Sequence, residues 1–139
     1  MSLRTGEKTG ASAIEFAIIL PVLILFLFGI IEFSILFYDK AVITNASREG
    51  ARAGIVYQHP NRVTESEIEQ VVLNYCADHL ITFATTPSLT IAADWTGHEA
   101  GDTLTVTALY DYQFLVLPNF ITTLTGGINL AATTVMRME

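Results

Sequence analysis

Residues 16–38 read FAIILPVLILFLFGIIEFSILFY, and this stretch decides the fold. From Ala17 to Ile31 no side chain is charged or strongly polar, and after Glu32 the apolar run resumes from Phe33 to Tyr38. As a helix, Phe16 to Phe37 rises about 1.5 Å per residue to roughly 33 Å, which matches a hydrocarbon core of about 30 Å. Between Ile18 and Ile31, each Ile, Leu, Val or Phe favours the centre of a bilayer by about 0.3–0.6 kcal/mol, on the order of 5 kcal/mol together. An acid at the centre costs about 3 kcal/mol, but Glu15 and Glu32 lie nearer the ends, where the cost is less. Insertion is favoured, and a transmembrane helix is expected over about 16–38.

Composition agrees with an anchor plus a small domain. The chain has 139 residues, 51% hydrophobic and only 15% charged, with the apolar residues concentrated near the N-terminus. Its net charge of −7 argues against a nucleic-acid partner, which needs a basic face. Cys76 is the only cysteine, so no disulfide closes within the chain. The leader Met1–Gly10 carries Arg4 and Lys8 against Glu7. Basic residues flanking a membrane segment tend to stay in the cytoplasm, which places the N-terminus inside and the bulk of the chain outside. A removable secretory signal would have a shorter core and small residues at its cut site. Here the core is long and Tyr38-Asp39-Lys40 follows it.

Beyond the apolar run the sequence stays helical. Ala41 to Ala53 is rich in alanine, with Arg48, Glu49 and Arg52 at turn-related positions. One helix is therefore expected from near Ala11 to near Gly54, weakened by Gly50 and capped by Gly54, with Pro21 tolerated as a kink in lipid. Gln58 to Arg62 reads as a linker around Pro60. Thr64 and Glu67 are spaced as a capping box, and Ile68, Val71, Val72, Tyr75, Cys76 and Leu80 share one helical face. Alternation marks three strands: Leu89 and Ile91; Leu104 through Tyr112; Ile128 through Met136. Gly97 and Gly101 lie in the first turn, and an apolar connection, Leu115 to Gly127, joins the last two strands. The expected fold is α+β: a long N-terminal transmembrane helix continuing into a small head, in which one amphipathic helix covers a three-stranded antiparallel sheet. The organisation is leader 1–10, long helix 11–56 and head 57–139.

Enzyme chemistry finds no support. His59, His79 and His98 lack ligand spacing, and no phosphate loop or nucleophile elbow is present. Asp94, Glu99 and Asp102 share a turn without the alternation of a calcium loop. Cys76 falls on the buried stripe of its helix. Asn45-Ala46-Ser47 fits a glycosylation triplet but lies inside the expected helix. No metal, cofactor or small-molecule substrate is expected.

The membrane acids are different. Glu15 sits between Ala13-Ile14 and Phe16-Ala17, where a carboxylate needs a counter-charge, water or a proton. It either reaches headgroup water or waits for a positive partner from another chain. Glu32 faces the same choice at the outer end, where water is nearer and favours the first reading. Leu115 to Leu124 is the most apolar non-strand part of the head, a core-covering loop or a partner surface.

Gly10-Ala11-Ser12-Ala13-Ile14-Glu15-Phe16 and the apolar run after it resemble the class III signal of type IVb prepilins. Four further pieces in order make the resemblance specific: Ala13 to Ala17, Leu20-Pro21, Phe28 to Phe33, and Asn45 to Arg52. Together they resemble the TadE-like family, pseudopilins of tight-adherence (Tad, or Flp) pilus systems. The resemblance covers about Gly10 to Gly54, and the ending Arg137-Met138-Glu139 is similar to many family members. Major Flp pilins are little more than the helix, and the larger TadG-like relatives carry an inserted domain, so a minor, TadE-type pseudopilin is the nearest fit.

The resemblance implies cleavage by a prepilin peptidase between Gly10 and Ala11, with Glu15 fifth in the mature chain. It implies other pilin subunits, the assembly machinery and membrane lipid as partners. The expected location is the bacterial inner membrane, head outside, with the extracellular pilus as a second location. An α-amino group on Ala11 is mostly charged at pH 7. The ammonium of one subunit and Glu15 of a neighbour would compensate each other in lipid and set the register between helices. Phe16, Pro21, Gly29 and Glu32 are the candidates for helix packing. The alternatives are an uncleaved membrane-anchored assembly factor, or an accessory or sensor subunit of another envelope complex.

Overall fold

The computed structural model describes residues 7–56, 63–82, 88–116 and 127–138. Helix α1 runs without interruption from Glu7 to Ile55, straight through Pro21. No described residue packs over its first part: from residue 10 to 31 every residue is exposed except the half-buried Leu20 and Gly29. From Glu32 onward one face is buried under the head. The stripe Glu32, Leu36, Asp39, Ile43, Ala46, Ser47, Gly50 and Gly54 repeats at steps of three and four, the spacing of one helical face.

Helix α2, Glu65–His79, begins at the expected capping box: Thr64 Oγ1 accepts from the Glu67 amide, and Glu67 Oε2 accepts from the Thr64 amide at 2.7 Å. This satisfies donors that the first turn leaves unpaired. Ile68, Val72 and Cys76 are its buried face, with Val71, Tyr75 and Leu80 half-buried at the margin.

Strands β1 (Leu89–Trp95), β2 (Thr103–Tyr112) and β3 (Ile128–Arg137) form an antiparallel sheet in the order β1-β2-β3. The register sets Ile91 opposite Ala108 and Ala108 opposite Ala132, and Tyr110 opposite Leu130. Leu104, Val106, Ala108, Tyr110 and Tyr112 all point inward from β2, as their alternation requires. Gly101 closes the β1–β2 turn at φ +101°, a conformation in which a Cβ is strained, while its carbonyl accepts from Arg137 Nε.

The α+β fold is as expected, with one difference in how the sheet is covered. The expected single covering helix is α2, but α2 reaches chiefly β1, while the upper part of α1 packs on β2 and β3. Ser47 Oγ bonds Thr134 Oγ1 at 2.7 Å, and Lys40 Nζ donates to the Ala131 carbonyl of the edge strand β3. The long helix is therefore part of the head's core. Gly54 does not cap α1; it lies inside the helix, as does Gly50. A Cβ on Gly50 would stand 2.5 Å from Val72 Cγ2, and one on Gly54 would stand 2.6 Å from Ile68 Cδ1 and strike Leu104. These glycines let α2 and β2 approach α1. The linker reading of Gln58 to Arg62 lies outside the described residues.

Candidate functional site

Two acids on the buried stripe of α1 tie the head to the helix. Glu32 is 1% exposed. Its Oε1 accepts from the Tyr112 hydroxyl at 2.5 Å and the Leu115 amide at 3.0 Å, and its Oε2 accepts from the Val116 amide at 2.7 Å. Glu32 thus does not reach headgroup water, contrary to the favoured sequence reading. Tyr112 ends β2 pointing inward, and the chain turns so that two successive amides aim at the same carboxylate.

Two turns further on, Asp39 is fully buried, and its Oδ1 accepts from the Ile81 amide just beyond α2 at 3.0 Å. Its Oδ2 has no hydrogen-bond partner among the described residues. Burial pushes the Asp39 carboxyl above its ordinary value, and the Ile81 bond opposes this in part. Cys76, Tyr110 and Tyr112 face the same interior. Burial, helped by Asp39, pushes the Cys76 thiol up to about 11, which leaves it a neutral core side chain. Glu32 and Asp39 therefore hold the chain exits of β2 and α2 respectively.

The other sequence candidates lie elsewhere. Glu15 is exposed on the bare part of α1, as are Phe16 and Pro21, so the structure does not bring Glu15 and Glu32 into one site. Gly29 floors a shallow apolar groove with Val22, Phe26, Ile30, Phe33 and Phe37, and a Cβ at Gly29 would meet nothing within 4 Å. Glu32 points away from that groove into the head. The hydroxyl of the Asn45-Ala46-Ser47 triplet is buried. His79 stacks on Tyr75 at 4.4 Å, and His98 lies beside Trp95. Asp102 Oδ2 accepts from the Glu99 amide inside its own turn. Among the described residues no three His, Cys, Asp or Glu side chains gather as a metal site. Of the Leu115 to Leu124 connection, only Leu115 and Val116 are among the described residues.

The bare stretch of α1 is long and apolar enough to cross a membrane. With this geometry in view, residues 10–52 match the family model of the TadE-like proteins. The N-terminal segment is TadE-like. The match begins at Gly10, the residue before the expected cut, and ends at Arg52, inside the part of α1 that packs in the head. It contains both buried acids and the exposed Glu15. Neither a curated protein nor a solved structure was found to match the chain. The TadE-like segment thus unites an apolar membrane-anchor half with a half that forms the head's core.

Proposed function

We propose that the protein is a minor pseudopilin of a Tad (Flp, type IVb) pilus system: a structural subunit, not an enzyme, that takes part in pilus biogenesis and adhesion. The observation that carries this reading is the TadE-like match over residues 10–52, on a helix whose first half is bare and apolar. In this reading a prepilin peptidase cuts between Gly10 and Ala11 at the cytoplasmic face, and the head stands outside the inner membrane. Glu15 then lies exposed in the first turns of the mature helix, where a carboxylate in lipid demands a positive partner. The new α-ammonium of Ala11 in a neighbouring subunit supplies that partner and fixes the axial register of the two helices. The exposed apolar groove at Gly29 suits close packing between helices in a bilayer, where small residues let backbones approach.

Glu15→Ala and Glu15→Gln test the registration role. Both remove the charge, and both should abolish or sharply reduce incorporation into pili while the protein stays folded and membrane-bound. Assembly at the wild-type level by either variant contradicts it.

A further inference from the structure

The head and the apolar belt of α1 overlap along the helix axis. Phe33, Phe37 and Tyr38 are 56%, 68% and 45% exposed, on the very turns where Glu32, Leu36 and Asp39 are buried in the head. The first polar side chains beyond them that are not buried are the half-buried Lys40, whose ammonium bonds the Ala131 carbonyl, and then Thr44 and the exposed Asn45. On the side away from the head, the apolar surface therefore runs at least to Tyr38. At about 1.5 Å per residue, Tyr38 stands roughly 9 Å above Glu32 along the axis. A bilayer deep enough to cover Phe33 and Phe37 must also meet whatever surrounds Glu32 on the other side.

What surrounds Glu32 is the segment after β2. Phe114, Leu115 and Val116 are apolar and half-buried, held in place by the two amide bonds to the Glu32 carboxylate. Three donors among the described residues already bind the Glu32 carboxylate, so it does not depend on water at this depth. That is what a lipid-level carboxylate requires. Lipid also accounts for more of this surface than a second helix seated in the groove at Gly29. The exposed apolar surface goes all the way round α1 through Ile31 and continues into the patch at Phe33 and Phe37. One partner helix covers a stripe, whereas acyl chains cover a circumference.

We propose that the base of the head, Phe114 to Val116 beside Glu32, is sunk in the outer leaflet and in contact with lipid rather than standing clear of the membrane. This rests on the membrane-anchored reading above. The head then meets the bilayer through a wedge locked to the helix, which fixes the head's tilt relative to the membrane.

Tryptophan depth measurements on the full chain test this. The native Trp95 pairs with Leu104, which lies against Gly54, so it stands far above Glu32 and serves as the distant control. In a Trp95→Phe background, Leu115→Trp, Val116→Trp and Phe26→Trp are each reconstituted into phosphatidylcholine vesicles whose acyl chains are brominated part-way along. With a leaflet core of about 15 Å, the Leu115→Trp and Val116→Trp emissions should be blue-shifted and fall about twofold, while Trp95 in the parent is unchanged. Two base positions keep the test alive if one substitution disturbs folding. If Phe26→Trp is quenched and both base reporters are not, the proposal is overturned and the anchor stands. If Phe26→Trp is also unquenched, the anchored reading falls and the proposal with it. Blue-shifted but unquenched base reporters mean that protein covers this surface, which also overturns it.

Discussion

Removing the Glu32 carboxylate should detach the lower head from the helix, and the structure sets a ranking. Hydrogen bonds to a charged acceptor contribute about 1.5–3 kcal/mol each, and a buried donor left without a partner costs about 1–3 kcal/mol. Tyr112→Phe removes one bond and leaves the two amide bonds to Glu32 in place, so it should cost about 1.5–2 kcal/mol. Glu32→Gln keeps Oε1 with its two donors but turns an amide group toward the Val116 amide, a cost of about 2–3 kcal/mol. Glu32→Ala strands three donors and opens a cavity, on the order of 4–6 kcal/mol. That last figure rivals the whole stability of a small domain, about 5–15 kcal/mol. Urea unfolding of the full chain in detergent, followed by Trp95 fluorescence, gives the ranking. Hydrogen exchange at the Leu115 and Val116 amides gives its local origin. Glu32→Ala should be the worst of the three, and the Glu32–Tyr112 double-mutant cycle should show coupling of about 1 kcal/mol or more. A loss in Glu32→Ala no larger than in Tyr112→Phe, or unchanged exchange at residues 115 and 116, refutes the clamp.

Four further outcomes follow from the same contacts. Gly54→Ala, driving a methyl into Ile68 and Leu104, should lower the unfolding free energy by about 1–2 kcal/mol despite the better helix propensity of alanine, as read in the same urea titration. Thr64→Ala should cost about 1 kcal/mol by loss of the α2 cap, visible as faster amide exchange in its first turn. Because burial raises the Asp39 carboxyl above its ordinary 3.8, the folded state holds its proton longer than the unfolded chain. Stability from this group is complete below that ordinary value and is lost as pH rises through the folded one. Asp39→Asn, which keeps an acceptor for the Ile81 amide, should therefore raise the urea midpoint at pH 7 and progressively less toward pH 4. Cys76, with its thiol raised to about 11, should resist iodoacetamide at pH 8 in the folded protein and react in urea, as mass spectrometry will show.

The elements were legible in the sequence because each carries a local signal. The apolar run gives α1, Thr64 and Glu67 give the start of α2, and alternation from Leu104 to Tyr112 gives the central strand. The partners of Glu32 were not legible. Tyr112 lies 80 residues away, and the Leu115 and Val116 amides have no side-chain signature, so nothing near Glu32 distinguishes a clamp from an interfacial acid. A hint did exist: Glu32 and Asp39 are seven residues apart and share their stripe with Leu36, Ile43 and Ala46, a spacing that suits a buried face. Gly50 and Gly54 were misread for a related reason. Propensity treats glycine as a defect or an end, and only tertiary contact shows that the missing Cβ is what α2 and Leu104 need. Glu15 was read for its isolation, and it stands exposed on the bare helix.

The most direct measurement is the mass of the N-terminal peptide of the protein purified from the membranes of cells that produce it with their own prepilin peptidase. The account predicts a chain that begins at Ala11, with no peptide spanning Gly10 and Ala11. A chain that still carries residues 1–10 in full contradicts it, and leaves an uncut membrane-anchored assembly factor in its place.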